Sequence, residues 1–373
     1  MITGGDEMEA FAACFEGLDD PRNGNAERHD LLELLMIAFC TVLCGGQTAV
    51  DMHVFARAKE GFLREVLTLK NGLPSHDTFS RLFRALDPDQ FRTCFQRFMG
   101  RFALTCQGVI AIDGKVLRRS FDTASAKSAL HMVSAWGCEQ RLVLGQIATD
   151  AKSNEITAVP KLLAMLSLKG CIVTVDALNC QRDIAQQIID QEGDYALALK
   201  GNQGTLHADV SLFLDDPELA AATTTTHTTV DGDHGRIERR TATVSTDIAW
   251  LQEHHQWPGL AAIGKIVRTR EFKTKTTTET AYYLLSAPLP AERFGEVVRS
   301  HWGVENRLHW RLDVVMNEDQ MRNRLDNGPH NLTILRHMAI NLIEKDTTKG
   351  SLRSKLKRAG WEDAYLAKLL ALF

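Results

Sequence analysis

No apolar run in this 373-residue sequence approaches the roughly 18 to 20 residues that a helix needs to cross a bilayer. The most apolar stretch, residues 34–44, is too short and predicts a buried helix. Residues 1–10 contain three acids and no Lys or Arg, so we expect no secretory signal. The eight cysteines form no Cys-x-x-Cys pair and are typical of reduced thiols. These absences predict a cytoplasmic protein with no membrane segment.

The sequence also lacks the overall positive charge that is common in proteins that bind nucleic acids. Its net charge is −4, but residues 1–30 hold eight acids against two bases, so the remainder carries about +2. Bases gather in residues 265–275 and 349–373. Such runs are usually solvated surfaces, and they permit DNA binding without establishing it.

Residues 1–107 predict an all-helical amino-terminal domain, because apolar residues recur there at the spacing of a helix. Ser75 is typical of a helix cap, and Asp87 before a proline predicts the start of the next helix. Arg81 and Arg84 lie on the polar side of the first of these helices. Two interpretations stay open: a helix-turn-helix that reads DNA, or two amphipathic helices that pack as ordinary core.

After residue 107 the pattern becomes that of an α/β protein. The apolar run 109–112 predicts a buried strand that ends at Asp113, and the run 171–175 predicts another that ends at Asp176. A hairpin and a helix separate these strands, and further elements follow up to residue 214. If the two strands are parallel neighbours, both carboxylates lie at the edge where open α/β sheets bind ligands. This order is the ribonuclease-H-like arrangement, and residues 108–214 are its first part.

The remaining sequence predicts an insertion and a return to the core. Residues 215–280 contain an Ala/Thr tract and alternating strands, which predict a β-rich insertion. Helical spacing returns in residues 281–345, predicted as the remainder of the catalytic core, and residues 346–373 predict a basic amphipathic helix. The expected fold class is α/β, with a ribonuclease-H-like mixed sheet, a β-rich insertion and a preceding all-helical domain.

Asp113, Asp176 and an acid from residues 301–313 are the candidates for chemistry. Mg²⁺ ions that bridge a phosphodiester need several carboxylates from different elements, and two strand-end Asp residues with a helical Glu305 supply them. Taken singly, Asp113 is also typical of a strand-to-turn exit and Asp176 of a helix cap. Their joint placement on paired strands favours the metal site.

The segment around Glu305 allows other interpretations. His301, Glu305 and His309 are four residues apart and lie on one helix face, as in a zinc site. Aromatic and basic residues on the same helix instead suit stacking on bases and pairing with phosphates, or core packing by the two tryptophans. These residues are Trp302, Arg307, Trp310 and Arg311.

Short motifs spread over nearly the whole chain carry a resemblance to a known family. They are DPR at 20–22, NGLPSHDTFSR at 71–81, AIDGK at 111–115, KSNEI at 152–156, VDALNCQ at 175–181, KGNQ at 200–203, HGRIE at 234–238, HWGVEN at 301–306 and LHW at 308–310. With these motifs the chain resembles the transposases of bacterial insertion sequences, in the H-repeat-associated branch of the DDE superfamily. The motifs are specific together, whereas none of them is specific alone.

The resemblance implies an enzyme that binds the inverted ends of its own element and catalyses metal-dependent DNA cleavage and strand transfer. It implies the triad Asp113, Asp176 and Glu305 holding two Mg²⁺ or Mn²⁺ ions, and a homo-oligomer on element-end and target DNA. Two alternatives stay open: a DNA-binding relative that has lost catalysis, and a nuclease of the same fold that does not join strands.

The helix of Glu305 departs from the wider superfamily, in which a Tyr lies seven residues before the Glu, an Arg four before and a Lys seven after. Here those places hold Val298, His301 and Leu312, so Glu318 remains an alternative third acid. The residues expected to contact DNA are Lys200, Arg236, Arg299, His301, Trp302, Arg307 and Arg311, with Arg81 and Arg84 if the amino-terminal helix pair reads bases.

Overall fold

The computed structural model describes residues 6–102, 106–121, 128–149, 155–233 and 236–373. Of the motif residues named above, 152–154 and 234–235 lie outside the described residues, as does the side chain of Arg236. Within the described ranges, none of the helices combines the length and apolar character needed to cross a bilayer.

Six α-helices precede the first strand in the described chain. The helix starts predicted at Ser75 and Asp87 are confirmed, because their side chains accept hydrogen bonds from the backbone N–H groups of Thr78 at 3.3 Å and Gln90 at 2.8 Å. The six helices are α1 (Asp6–Cys14), α2 (Leu31–Leu43), α3 (Ala49–Ala58), α4 (Glu60–Val66), α5 (His76–Ala85) and α6 (Pro88–Gly100).

A nine-stranded mixed sheet follows the helices. Its strands are β1 (Gly108–Val116), β2 (His131–Gly137), β3 (Leu142–Thr149), β4 (Cys171–Val175), β5 (Asp194–Leu199), β6 (Thr224–Asp233), β7 (Arg236–Ser245), β8 (Ala262–Glu271) and β9 (Thr276–Leu285). They lie in the order β3-β2-β1-β4-β5-β9-β8-β7-β6. The parallel pairing of the two strands is confirmed, since β1 pairs parallel with β4 and Ala111 lies opposite Thr174. The first strand does not end at Asp113 as predicted, because its pairing with β2 continues to Val116.

The other helices connect these strands and complete the chain. They are α7 (Glu155–Leu163), α8 (Arg182–Asp190), α9 (Gly204–Asp215), α10 (Pro217–Thr223), α11 (Ala249–His255), α12 (Ala291–Gly303), α13 (Gly328–Lys345), α14 (Leu352–Trp361) and α15 (Asp363–Leu370). Two π-helical turns, Val304–His309 and Arg311–Val315, extend α12, and a short 3-10 helix, Ala177–Asn179, follows β4.

The β-rich segment predicted for residues 215–280 continues the main sheet. Strands β6 to β9 are antiparallel, and β9 pairs with β5 from Ala196 opposite Leu285 to Leu199 opposite Tyr282. The segment therefore extends the edge of the sheet at β5 and forms no separate sheet within the described residues.

Alternation along β1 directs its side chains into different layers, because successive residues of a strand point to opposite faces. Ile110 and Ile112 are buried in a core that includes residues of α7 and α8. Ala111 is buried on the other face, in a core that includes Val304 and Leu308 of the extended helix. Asp113 shares the face of Ala111, so the fold brings it toward the helix that carries Glu305.

The segment predicted as one basic carboxy-terminal helix forms two helices, α14 and α15, which share a core with α1 to α6. Leu366 is fully buried in this core. The ring of Phe373 lies 5.3 Å from that of Phe11, 5.2 Å from Phe39 and 5.4 Å from Phe98, measured between ring centroids. Phe373 therefore packs against α1, α2 and α6.

Candidate active site

Asp113 lies on β1, opposite Ser134 of β2, and its side chain is mostly buried. The next residue is Gly114, and a Cβ there would displace its neighbours, because it would lie 2.3 Å from both Glu155 Oε1 and His131 Nε2. These two atoms are 2.9 Å apart and form an ion pair when His131 is protonated. Gly114 thus lets Glu155 approach the backbone directly beside Asp113.

Asp176 follows the last residue of β4 and caps the short helix after it. Its Oδ1 accepts a hydrogen bond from the backbone N–H of Asn179 at 3.2 Å and another from Asn179 Nδ2 at 2.8 Å. The same amide nitrogen donates to Glu155 Oε2 at 3.0 Å. Asn179 therefore joins Asp176 to Glu155, and the helix-cap interpretation of Asp176 holds alongside its position at the strand end.

Glu305 lies in the first π-helical turn beyond α12, and its side chain is 55% exposed. His309 is close to both Glu305 and Asp113, with Nδ1 3.8 Å from Glu305 Oε2 and 3.6 Å from Asp113 Oδ2. Wide π-helical turns within a longer helix are common at functional sites. The turn places Glu305 and His309 over the face of β1 that carries Asp113.

Asp113, Glu305 and His309 form a group whose ligand atoms all lie within 4.8 Å of one another. Among the described residues, Asp176 is not a member of that group. The structure therefore brings two of the three predicted acids together and leaves the third at the adjacent strand end. The sequence does not indicate that His309 lies near Asp113. The spacing of four residues indicates only that His309 shares a helix face with Glu305.

The zinc interpretation required His301, Glu305 and His309 to act together. His301 Nδ1 is instead 2.9 Å from Thr174 Oγ1 of β4, within hydrogen-bond distance. Burial lowers the pKa of His301, although the charges of Asp176 and Glu305 oppose that effect. In the described part of the chain, the group with metal-ligand geometry includes His309 and Asp113 but not His301.

Negative charge is concentrated at this site. Burial raises the pKa of Asp113 to about 6; the charges of Glu305 and Glu155 add to the rise and His309 opposes it. The imidazole of His309 holds the pKa of Glu305 below its usual range. A bound cation would favour the ionised form of both carboxylates, because an opposite charge within a few ångströms stabilises it.

Glu318, the alternative third acid, is buried in a separate cluster. Its carboxylate lies 3.0 Å from Lys115 Nζ and 3.2 Å from Arg336 Nη1, and it accepts a hydrogen bond from Thr333 Oγ1 at 3.1 Å. Burial alone would raise the pKa of Glu318, but the charges of Lys115 and Arg336 lower it to about 2. These contacts engage both carboxylate oxygens.

Several of the residues expected to contact DNA form ion pairs within the chain. Arg84 Nε lies 2.7 Å from Asp326 Oδ2, and Arg299 Nη1 lies 2.6 Å from Asp231 Oδ2. Arg311 pairs with Glu344. Among the other predicted positions, the exposed side chains are those of Arg81, Lys200, Trp302 and Arg307.

Trp302 is a partly exposed aromatic residue near the site. Its side chain lies three residues before Glu305, and the guanidinium of Arg268 on β8 lies 5.4 Å from the centroid of its ring. Trp302 and Trp310 are 48% and 54% exposed, so neither is a buried core residue. The interpretation of these tryptophans as core packing is therefore wrong, whereas stacking on bases remains a prediction.

Comparison with known proteins identifies similar chains over nearly the whole length. Residues 104–342 match the model of the family described as "Transposase DDE domain", and residues 12–99 match "DDE_Tnp_1-associated". The "H repeat-associated putative transposase YhhI" of Escherichia coli (strain K12) is 39% identical over 372 residues, which cover 98% of each chain. The "Putative transposase YncI" of Escherichia coli O157:H7 is 36% identical over 361 residues, 95% of this chain and 92% of the relative.

Proposed function

Because the chain belongs to the family of DDE-domain transposases, and is a DDE-type enzyme acting on DNA, we propose that Asp113, Asp176 and Glu305 are its catalytic acids. The observation that carries this proposal is the convergence of Glu305 on Asp113, with Asp176 at the end of the parallel neighbouring strand. We further propose that β1 to β5 and the extended α12 form a ribonuclease-H-like core, which the β-rich segment interrupts, and that α1 to α6 form an accessory domain.

The acids at this site suit Mg²⁺ or Mn²⁺, because both ions accept carboxylate oxygen ligands. Asp113 and Glu305 present oxygens within 4.8 Å of each other, which fits a shared ion, and Asp176 would complete a second position. When bound, a pair of such ions supplies an activated water or hydroxyl and stabilises the oxygen that leaves phosphorus.

Side chains around the proposed metal site would orient the acids and contact the DNA. Asn179 holds Asp176 and Glu155 in fixed orientation through its hydrogen bonds at 2.8 and 3.0 Å. Glu305 is exposed enough to meet a DNA strand, while the mostly buried Asp113 holds the site on the sheet. Trp302, three residues before Glu305, offers a ring for stacking, and Arg268 beside that ring would reach a phosphate only by exchanging its ion pair with Glu279.

We propose that the substrates are the inverted ends of an insertion sequence and a target DNA, and that copies of the chain assemble on them. Arg81, Lys200, Arg236 and Arg307 are proposed to contact the DNA backbone or bases. Arg84, Arg299 and Arg311 would do so only by exchanging their present ion pairs. The eight free cysteines agree with action in the cytoplasm.

The test is cleavage of element-end DNA by Asp113→Asn, Asp176→Asn and Glu305→Gln proteins in Mg²⁺ and in Mn²⁺. The cleavage rate of each variant should fall at least about 100-fold. Substitution of a residue that only orients a metal ligand already lowers activity by up to about that factor, and these variants lose the ligand itself. Asp183→Asn, an exposed carboxylate on α8, is the matched control and should retain activity. Cleavage near the wild-type rate in any of the three variants would remove that residue from the site.

A strand-transfer assay with the same DNA separates the remaining alternatives. Joining of cleaved ends to target DNA is the expected result. Cleavage without joining would indicate a nuclease of the same fold, and DNA binding without cleavage would indicate a relative that has lost catalysis.

A further inference from the structure

We infer that His309 is a ligand of the divalent ion held by Asp113 and Glu305, so that this metal position has a nitrogen as well as oxygens. The inference rests on the proposed function and adds a residue to its metal site. Its basis is the position of His309, whose Nδ1 lies within 4 Å of an oxygen of each carboxylate.

The distances at His309 suit metal coordination better than direct hydrogen bonding. Nδ1 lies 3.6 Å from Asp113 Oδ2 and 3.8 Å from Glu305 Oε2, and both distances exceed the length of a hydrogen bond. Ligands of one octahedral ion with bonds of about 2.1 Å lie about 3.0 Å apart when adjacent and about 4.2 Å apart when opposite. Both observed distances lie between these values, so small side-chain rotations would bring all three ligands to one ion.

The packing of the helix limits the movement of His309. Its side chain is only 7% exposed, and its neighbours Leu308 and Leu312 are buried in the core shared with the amino-terminal helices. A backbone hydrogen bond from Trp310 N–H to the Glu305 carbonyl closes the π-helical turn around it. The ring is therefore presented to Asp113 by a rigid element, as a metal ligand requires.

His301 provides an internal comparison, because it lies four residues before Glu305 as His309 lies four after. Its Nδ1 is occupied by Thr174 Oγ1 at 2.9 Å, so this nitrogen faces β4 and not the pair of carboxylates. The two histidines thus share a helix and a spacing but differ in what their nitrogens contact. His301 is the matched control for a substitution at His309.

A nitrogen ligand has a consequence for metal preference. Mg²⁺ prefers oxygen ligands, whereas transition-metal ions accept imidazole. The site should therefore bind Mn²⁺ more tightly than Mg²⁺, and the difference should depend on His309. Replacing His309 with Gln should weaken Mn²⁺ binding about 10-fold or more and weaken Mg²⁺ binding less.

The experiment is pulsed electron paramagnetic resonance of the full chain loaded with one equivalent of Mn²⁺, together with Mn²⁺ and Mg²⁺ titrations. Wild-type protein should show ¹⁴N coupling to Mn²⁺, which His309→Gln should lose and His301→Gln should retain. If His309→Gln does not fold, ¹⁵N-histidine labelling of the His301→Gln protein still assigns the coupling without a change at His309.

The outcomes separate this inference from the proposed function. Mn²⁺ binding that Asp113→Asn abolishes, but that shows no nitrogen coupling in the wild type, would overturn the role of His309 and leave the carboxylate site standing. Nitrogen coupling that disappears in His301→Gln would overturn it as well. Mn²⁺ binding that Asp113→Asn leaves unchanged would overturn both the inference and the proposed metal site.

Discussion

The buried side chain of Asn179 connects two acids near the site. Its amide nitrogen donates to Asp176 Oδ1 and to Glu155 Oε2, so it orients both carboxylates with one group. Neighbours that orient metal ligands commonly contribute a factor of about 10 to 100 in activity. Asn179→Ala should therefore lower the rate of DNA cleavage by about that factor, measured with element-end DNA in Mg²⁺.

Asn202 offers the control for this prediction. It is exposed, and its amide donates to the carbonyl of Ala177 at 2.7 Å, in the same short helix that Asp176 caps. Asn202→Ala removes a hydrogen bond to that helix without touching a carboxylate. An equal loss of rate in both variants would show that the helix, and not the orientation of Asp176, matters.

The sequence predicts Asp113 and Asp176 but not their neighbours, for a physical reason. Each acid ends an apolar run, and a parallel pair of such strands puts both ends at one edge of the sheet. The approach of His309 to Asp113 depends on how the helix after α12 packs across the sheet. Such packing involves residues about 200 positions apart, and no local spacing encodes it.

At the scale of elements, a buried ion cluster attaches the 3-10 helix Glu318–Gln320 to both β1 and α13. Glu318 contacts Lys115 of β1 and Arg336 of α13, and all three side chains are buried. Removing Glu318 is costly, because it takes away the counter-charge of the buried Arg336, although Lys115 keeps its pairs with Asp313 and Asp319. Glu318→Gln should lower the free energy of unfolding at pH 7 by about 3 kcal/mol, measured by urea denaturation.

The loss in free energy of unfolding caused by Glu318→Gln should become smaller as pH falls. Lys115 and Arg336 outweigh burial and lower the pKa of Glu318 to about 2, below that of an unfolded Glu. A carboxyl whose pKa is lowered by folding stabilises the protein above its unfolded pKa, and this stability is lost as pH falls toward the folded pKa. The difference in free energy of unfolding between wild type and Glu318→Gln should be constant above about pH 5.5 and should shrink below about pH 4.5. A difference that grows on acidification would contradict the ion pairing.

The sequence pattern predicts where strands form but only part of their order in the sheet. The apolar runs and turn residues predict the two strands that deliver Asp113 and Asp176, and the parallel pairing on which their proximity depends is observed. They do not predict that β1 continues past Asp113 to Val116. They do not predict that β9 pairs with β5, because strand edges join through backbone hydrogen bonds that are common to all residues. The β-rich segment therefore has the pattern of an insertion in the sequence, although it continues the main sheet.

Across the whole molecule, α14 and α15 pack against the amino-terminal helices and share a core with them. Their amphipathic pattern is visible in the sequence, but not the surface that their apolar face covers. Leu366 is fully buried in the shared core, and Lys357 of α14 is exposed. Leu366→Ala should lower the free energy of unfolding by about 2 to 5 kcal/mol, measured by urea denaturation. Lys357→Ala should change it by less than about 0.5 kcal/mol, and equal effects would contradict the shared core.

This packing also changes how DNA binding by the basic segments should be tested. Deleting the residues after Asp346 would remove Leu366 and Phe373 from the core as well as the bases. Lys355 and Lys368 of these helices already contact Asp346. A truncation would therefore mix loss of folding with loss of charge, and point substitutions on exposed bases are required.

Lys273 and Lys275 are the most direct choice, because both are exposed on the turn between β8 and β9. Other bases of that segment form ion pairs, such as Arg270 with Glu238 at 3.0 Å. Changing both lysines to Ala should weaken binding to element-end and random DNA alike, because phosphate contacts carry little sequence information. The slope of log affinity against log salt should fall by up to about 1.8, or about 0.9 per lost phosphate contact. The doubly changed Lys161→Ala, Lys169→Ala protein alters net charge equally, and an identical change in its slope would refute a local DNA contact at this turn.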